Sequence, residues 1–215
     1  MSTTLTEHQA KRFLADHGIP VTRERLAADL PRALAAAAEL GYPVAMKASG
    51  PDLAHKTERG LVRLGLRRPQ DIEEAWRGLA QGLGREPTEV LVQEMIADPR
   101  EFVAGLVRDP QFGPTVMFGL GGIYTEALRD VAFRVAPLSL RDALDMQAEI
   151  RGRALLEAQR GGPAADCRAL AEILVALGRL GLERPRLKEI DINPLKLSDG
   201  RPLAVDALVV LADQA

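Results

Sequence analysis

The segment EIDINPL places Glu189, Asp191 and Asn193 at every second position. Residues two apart on a strand point to the same face, so the segment predicts two carboxylates and an amide on one common face. Asp206 lies in the neighbouring apolar segment LAVDALVV, where a buried carboxylate needs a partner or a metal. Clustered oxygens suit Mg²⁺, which binds through one or two protein oxygens together with phosphates. The alternative is a solvent-facing polar strand, with Asp206 as a single buried carboxylate.

A second candidate for chemistry is the loop SGPDLAHKTERG at residues 49–60, which Gly50 and Gly60 flank. It contains His55, one of three histidines in the chain, followed by Lys56. A neutral imidazole nitrogen can accept and pass on a phosphoryl group, or it can act as a general base. A histidine that only forms a hydrogen bond within its loop is the alternative, and the loop residues alone do not separate these roles.

Two further features could hold an anion. Lys47 lies inside the apolar segment VAMKA, and lysine is almost never fully buried without a partner, so either a phosphate or a structural carboxylate should meet its ammonium group. The segment FGLGG contains Gly121 and Gly122, whose N–H groups could form an anion-binding nest. A glycine-rich segment of this kind, taken alone, is more often a tight turn.

The composition limits the classes of function. With 215 residues, 47% hydrophobic and 27% charged, the chain is typical of a soluble globular protein. A net charge of −2 and 4% aromatic residues argue against a nucleic-acid surface or a basic membrane patch. One cysteine, Cys167, excludes an internal disulfide and fits a reducing compartment. Because the first residues also lack the apolar core of a signal peptide, we expect a cytoplasmic protein without nucleic-acid or membrane partners.

The elements that must position these residues are a mixture of helices and strands. Caps and apolar periodicity predict helices at 7–17, 31–41 and 69–82, with two or three more between 139 and 181. Apolar runs and alternation predict strands at 21–26, 44–48, 60–66, 89–96, 101–109, 115–122, 131–138, 187–197 and 202–210. This order predicts an α+β fold with mostly antiparallel strand pairs and two lobes, residues 1–92 and 93–215.

In this order, the segments resemble the ATP-grasp module of the ADP-forming acyl-CoA synthetases, specifically the small β-subunit type. That subunit is a distant relative of the β subunit of succinyl-CoA synthetase. The resemblance rests on AKRFLADHGIPV, YPVAMKASGPDLAHKTERG, VLVQEM, RDPQFGPTVMFGLGGIYTEALRDVAFR, EIDINPL and AVDAL, and so covers nearly the whole chain. The combination of RDPQFGP, MFGLGGI and EIDINPL is highly specific. It implies a two-lobed ATP-grasp fold.

The resemblance implies a reversible reaction in which acyl-CoA, ADP and phosphate give acid, CoA and ATP, with the phosphoryl group carried on histidines. His55 matches a second relay histidine in this family, and Asp191 matches the aspartate that supports it. A carboxylate in that place fixes the ring tautomer and stabilises the charged ring during transfer.

The resemblance also implies a set of residues around a Mg²⁺-bound nucleotide. Phosphoryl transfer depends mainly on positioning and charge neutralisation, and lysine, arginine, metal and glycine N–H groups supply both. At the phosphates the resemblance implies Lys47, Arg108 and Arg134, and in the loops that face the phosphoryl group it implies Lys56, Gly121 and Gly122. The hinge that reads the adenine with its backbone is Gln93, Glu94 and Met95, and Glu101 lies at the ribose. Asn193 and Asp206 are the implied Mg²⁺ ligands.

The family pattern implies a partner and is broken at one place. The implied partner is a CoA-binding α subunit that carries the first histidine, in an α2β2 heterotetramer. The break follows the histidine loop, where the family has two adjacent glycines and this chain has Gly60 and Leu61, preceded by Arg59. Two other functions remain open: an ATP-grasp amide or peptide ligase, which needs no relay histidine, and a nucleotide-binding regulatory module without turnover.

Overall fold

The chain divides into two compact units. The computed structural model describes residues 2–50, 60–122, 130–158 and 162–213. The smaller unit is Thr22–Met95, and the larger unit combines Met1–Val21 with Ile96–Ala215. This differs from the predicted division into residues 1–92 and 93–215, because the first 21 residues pack with the second half of the chain rather than with the residues that follow them.

The N-terminal elements are strand β1 (Ser2–Thr4), which the sequence did not predict, and helix α1 (Glu7–Asp16). The helix begins after Thr6, whose hydroxyl accepts a hydrogen bond from the N–H of Gln9. The Gln9 side chain in turn accepts one from the N–H of Thr6. This reciprocal cap satisfies two N–H groups that lack helical partners and confirms the predicted helix start.

The smaller unit contains an antiparallel sheet with helices packed on one face. Its described elements are β2 (Glu24–Ala27), α2 (Leu30–Leu40), β3 (Val44–Ala48), β4 (Val62–Leu66), α3 (Pro69–Leu83) and β5 (Val90–Glu94). The strands lie in the order β2-β5-β3-β4. Strand β4 returns antiparallel along β3, as predicted. Helix α2 begins after Asp29, which accepts a hydrogen bond from the N–H of Arg32, and ends at Gly41 with a φ of +86°.

The larger unit is a second antiparallel sheet covered on one face by α1 and by later helices. Its remaining described elements are β6 (Glu101–Asp109), β7 (Gly113–Leu120), β8 (Val131–Val135), α4 (Leu140–Glu149), a 3₁₀-helix (Arg151–Leu156), α5 (Cys167–Glu183), β9 (Leu187–Ser198), β10 (Arg201–Ala204) and β11 (Ala207–Ala212). The strands lie in the order β1-β11-β9-β6-β7-β8, and β10 also pairs with β9. Within the described ranges, no helix has both the length and the apolar character needed to cross a membrane.

The last predicted strand, residues 202–210, is interrupted in the structure. It divides into β10 and β11, which pair with successive parts of β9 and are separated by Val205 and Asp206. The interruption lies beside Pro194 of β9, whose carbonyl accepts a hydrogen bond from the N–H of Val205. Proline has no N–H to donate, so a regular ladder cannot continue through this position. The result is a bend that carries Asp206 out of the strand.

Candidate functional site

The polar residues of β9 share one face, as their spacing predicted. Ile190 and Ile192 are fully buried in the core under the helices. Glu189, Asp191 and Asn193 alternate with them and therefore point to the opposite face of the sheet. Glu189 and Asn193 are exposed, and Asp191 is half-buried.

Asp191 lies near the middle of the sheet, between Gly105 of β6 and Leu208 of β11. A methyl group at Gly105 would lie 2.9 Å from the carbonyl oxygen of Ile190, so glycine permits the close approach of β6 to β9. Burial, and to a smaller extent the negative charges of Glu189 and Asp206, together raise the pKa of Asp191 to about 6. Negative charge is therefore concentrated here, and a cation would relieve the repulsion.

Asn193 and Asp206 are brought together at the bend. The N–H of Asn193 donates to the carbonyl of Asp206 over 3.2 Å, and the N–H of Val205 donates to Pro194 over 3.0 Å. The expectation that Asp206 is buried inside a strand is wrong, because the bend leaves it half-buried.

The donor set at the bend fits Mg²⁺. One carboxylate and one amide oxygen match a cation that takes one or two protein ligands and completes its shell with phosphates and water. In the described part of the chain there is no cluster of three or more histidine, cysteine, aspartate or glutamate side chains that could hold a metal by themselves. A cation at Asn193 and Asp206 would therefore depend on ligands from a bound nucleotide.

The glycine segment after β7 packs against Glu101. The N–H of Gly121 donates to the carbonyl of Glu101 over 2.8 Å, and a methyl group at Gly121 would lie 2.8 Å from the carbonyl oxygen of Phe102. Gly122 has a φ of +65°, and a methyl group there would lie 2.6 Å from Oε2 of Glu101. Close packing thus explains both glycines, as the tight-turn alternative expected, while an anion nest stays a prediction.

Lys196 is a functional candidate that the sequence did not reveal. It lies opposite Glu101 in the pairing of β6 with β9, and its Nζ is 3.2 Å from the Glu101 carboxylate. Only the strand register brings these residues together, since they are almost a hundred positions apart in sequence. The acid predicted at the ribose is therefore held by a lysine on the neighbouring strand.

In the smaller unit, Lys47 and Gln93 lie on the same face of the sheet. Met46 and Val92 on the neighbouring positions point into the core under the helices, so Lys47 and Gln93 point away from it. Both side chains are nonetheless buried, with Lys47 5% and Gln93 1% exposed. A buried cation and amide on a helix-free face are suited to an anionic, hydrogen-bonding ligand.

The predicted hinge residues Glu94 and Met95 lie at the end of the smaller unit, directly before its boundary with the larger unit. The Glu94 carboxylate accepts hydrogen bonds from the main-chain N–H and the Nε of Arg23, each 2.7 Å long. The Met95 sulfur accepts one from the N–H of Gly65 over 2.9 Å. Both side chains therefore have partners within the smaller unit, and recognition of the base by the main chain stays a prediction.

The structure gives Arg108 and Arg134 other roles than the predicted phosphate contacts. Arg108 donates to the carbonyls of Gly181, Arg184 and Leu187 at distances of 2.6, 3.2 and 3.1 Å. The Gly181 carbonyl lies in the last turn of α5, where the final carbonyls lack helical partners, and Arg108 supplies a donor for it. Arg134 forms an ion pair with Glu149 and donates to the carbonyl of Phe133. Arg108 thus links β6 to α5 and β9, and Arg134 links β8 to the end of α4.

His55, Lys56 and Arg59 lie outside the described residues, but Gly60 and Leu61 do not. Gly60 has a φ of +64°, a conformation that glycine adopts without strain. Leu61 is fully buried in the core of the smaller unit, and its carbonyl accepts a hydrogen bond from the N–H of Ala48. The chain has therefore kept glycine where the backbone requires it and uses the second position to extend the core.

Comparisons with known proteins identify the family to which this chain belongs. A model of the ATP-grasp domain family matches residues 1–211. The chain belongs to the ATP-grasp family. The β subunit of the ADP-forming acetate–CoA ligase I of Pyrococcus furiosus is 41% identical to it over 212 residues, which cover 96% of this chain and 91% of the relative. This confirms the predicted kinship of this ATP-grasp chain with ADP-forming acid–CoA ligases.

Solved structures extend the likeness to three dimensions. The acetyl-coenzyme A synthetase 1 of Ca. Korarchaeum cryptofilum, in complex with coenzyme A and Ca-AMPCP, matches with a TM-score of 0.92 and 41% identity over 97% of this chain and 93% of the other. A second structure of that synthetase holds coenzyme A and Mg-AMPPCP, with its phosphohistidine segment pointing towards the nucleotide binding site, and matches with a TM-score of 0.84, 40% identity and the same coverage. The predicted α+β, two-lobed ATP-grasp fold is confirmed.

Proposed function

We propose that this chain is the nucleotide-binding β subunit of an ADP-forming acid–CoA ligase. It converts acyl-CoA, ADP and phosphate into acid, CoA and ATP, and the reverse, through a phosphohistidine relay. The observation that carries the proposal is the bend that joins Asn193 to Asp206 next to Asp191, in a chain that aligns over 96% of its length with an acetate–CoA ligase β subunit.

Each unit supplies its own set of proposed nucleotide-binding residues. In the smaller unit, Lys47 neutralises phosphate charge, and the main chain at Gln93, Glu94 and Met95 reads the base. In the larger unit, Glu101 holds the ribose, Gly121 and Gly122 face the phosphoryl group, and Asn193 and Asp206 hold Mg²⁺. Held by Asn193 and Asp206, Mg²⁺ would neutralise the charge that develops on the phosphate oxygens. We leave Arg108 and Arg134 out of this set because their guanidinium groups have structural partners.

His55 is the residue of this chain that is transiently phosphorylated. Lys56 follows it in sequence and neutralises the negative charge of the phosphoryl group. In the direction of ATP formation, an oxygen of the ADP β-phosphate attacks the phosphorus and the P–N bond to His55 breaks. The other ring nitrogen is protonated during this step, so the ring departs as neutral imidazole. Asp191 is the carboxylate that accepts the hydrogen bond of that nitrogen and stabilises the charged ring.

The proposal includes a partner and a compartment. The partner is a CoA-binding α subunit that carries the first histidine, in an α2β2 assembly, and we place the complex in the cytoplasm. The name of the Pyrococcus relative, a subunit β, supports a separate partner chain. The single Cys167 is compatible with a reducing compartment.

Turnover of the reconstituted complex tests the proposal. Purified chain and partner are incubated with acyl-CoA, ADP, phosphate and Mg²⁺, and ATP and free CoA are measured over time. We expect equal amounts of the two products, with both requiring phosphate and both chains. ATP consumption with an amine acceptor and without CoA would instead indicate an amide or peptide ligase. Binding of Mg²⁺ and ADP without any turnover would indicate a regulatory module.

A further inference from the structure

The most deeply buried charge described in the larger unit is Lys11 of helix α1. It is 1% exposed, and its Nζ lies 3.7 Å from a carboxylate oxygen of Glu7, one turn earlier on the same helix. Burying an ion pair removes both charges from water, and such pairs often contribute little or nothing to net stability.

The Lys11 ammonium reaches the bend that carries Asp206. It donates to the carbonyl of Val205 over 3.1 Å, across 194 positions of sequence. A second contact comes from the same N-terminal segment, where the carbonyl of Pro20 accepts a hydrogen bond from the N–H of Ala204 over 2.9 Å. The N-terminal segment therefore holds the bend from one side.

Strand β9 holds the bend from the other side. Pro194 accepts from the N–H of Val205, and Asn193 donates to the carbonyl of Asp206. Four main-chain groups between Ala204 and Asp206 are thus fixed, two by the N-terminal segment and two by β9. Of these partners, the Lys11 ammonium is the one supplied by a side chain, so it can be changed without altering the main chain.

We propose that Lys11, held by Glu7, is a positioning residue for the divalent cation: by fixing the Val205 carbonyl it sets the direction of the Asp206 carboxylate. This inference rests on the proposed function, in which Asp206 and Asn193 hold Mg²⁺. It also gives a reason for the placement of residues 1–21 in the larger unit, since Lys11 of α1 donates a hydrogen bond to the bend. Partners behind a metal ligand orient it and strengthen metal binding in this way.

The positioning role of Lys11 is tested by measuring Mn²⁺ binding to the full chain in the presence of ADP. Electron paramagnetic resonance follows the binding, and no turnover is needed. Lys11→Met fills a similar volume but cannot donate to Val205. We expect it to weaken Mn²⁺ binding about 10-fold, at the lower end of the range for changes behind a metal ligand. Lys11→Gln retains an N–H donor and should recover part of the affinity. If Lys11→Met does not fold, the comparison of Lys11→Gln with wild type carries the test.

Leu14→Ala is the matched control, because Leu14 is fully buried on the same helix and its side chain is apolar. It should lower the melting temperature and leave the Mn²⁺ affinity unchanged. Equal loss of affinity in Leu14→Ala and Lys11→Met, or no loss in either Lys11 variant, overturns the inference.

Asp206→Asn separates this inference from the proposed function. If Asp206→Asn weakens Mn²⁺ binding and the Lys11 variants do not, the metal site stands and the positioning role of Lys11 is wrong. If Asp206→Asn has no effect, or wild type does not bind Mn²⁺ with ADP, both the metal site and the role of Lys11 are overturned.

Discussion

The candidate residues of the two units are placed by opposite means. In the smaller unit, Lys47 and Gln93 lie on uninterrupted strands, and strand alternation alone turns them to one face. In the larger unit, Asp206 lies where the ladder is broken, and contacts from the N-terminal segment and from β9 fix its position. The orientation of a side chain on a regular strand is set by the strand itself, whereas the orientation of a side chain at a bend is set by contacts with residues distant in sequence. The two regions should therefore respond differently to substitution.

The largest effect is expected at the bend itself. Asp206→Asn removes a carboxylate from the Mg²⁺ site, and we expect kcat/KM for ADP to fall at least about 100-fold, since a change merely behind a metal ligand costs about 10- to 100-fold. The assay is ATP formation by the reconstituted complex at several Mg²⁺ concentrations. Asp199→Asn is the control: Asp199 lies in the β9–β10 turn with a φ of +49°, which asparagine tolerates. Equal activity of the two variants would show that Asp206 is not a Mg²⁺ ligand.

The corresponding change in the smaller unit is Lys47→Met. Loss of a charge-assisted contact with phosphate costs about 1.5–3 kcal/mol, so we expect about a 10- to 100-fold rise in the Kd for ADP. Calorimetric titration measures the affinity, with the exposed Lys188→Met as control. A lowered melting temperature with unchanged ADP affinity would show instead that Lys47 meets a structural carboxylate.

A pair of glycine substitutions compares the packing at one strand of the larger unit with that at one helix of the smaller unit. Gly105→Ala places a methyl group 2.9 Å from the carbonyl of Ile190, beside Asp191, and should lower the free energy of unfolding by about 1–3 kcal/mol. Gly78→Ala lies in helix α3, where the nearest atoms belong to the flexible Arg63 side chain, and should raise it by up to about 1 kcal/mol. Urea denaturation measures both. Similar stability of the two variants would show that β6 can move away from β9 at no cost.

The smallest functional effect is expected at Arg108. Arg108→Met removes hydrogen bonds to three carbonyls and should lower the free energy of unfolding by about 1–3 kcal/mol, with the KM for ADP unchanged. Arg141→Met is the control, because Arg141 is highly exposed and its ion pair with Asp145 is worth at most about 1 kcal/mol. A rise in the KM for ADP without loss of stability would show that Arg108 contacts the phosphates of ADP.

The difference between regular strands and the bend also explains which features the sequence could predict. The face shared by Glu189, Asp191 and Asn193 follows from the two-residue period of a strand, and the structure has it as predicted. The bend at Asp206 could not be predicted, because it depends on Pro194 of the paired strand and on Lys11 at the other end of the chain.

Two features could not be foreseen for the same reason. The family resemblance implied that Arg108 contacts phosphates, but its described partners are main-chain carbonyls more than seventy positions away, which no local pattern signals. Helix α1 was placed with the residues that follow it, although its buried face packs on the sheet of the larger unit. Local patterns predict elements and faces well, and they do not predict which distant segments pack together.

The most direct test of the account is transfer of the phosphoryl group through this chain. The chain, its CoA-binding partner and Mg²⁺ are incubated with γ-labelled ATP, and the label on each chain is followed after acid and alkali treatment. We predict acid-labile, alkali-stable label on both chains, its loss from this chain in His55→Asn, and slower transfer in Asp191→Asn. Unchanged labelling and unchanged turnover in His55→Asn would contradict the relay through this chain.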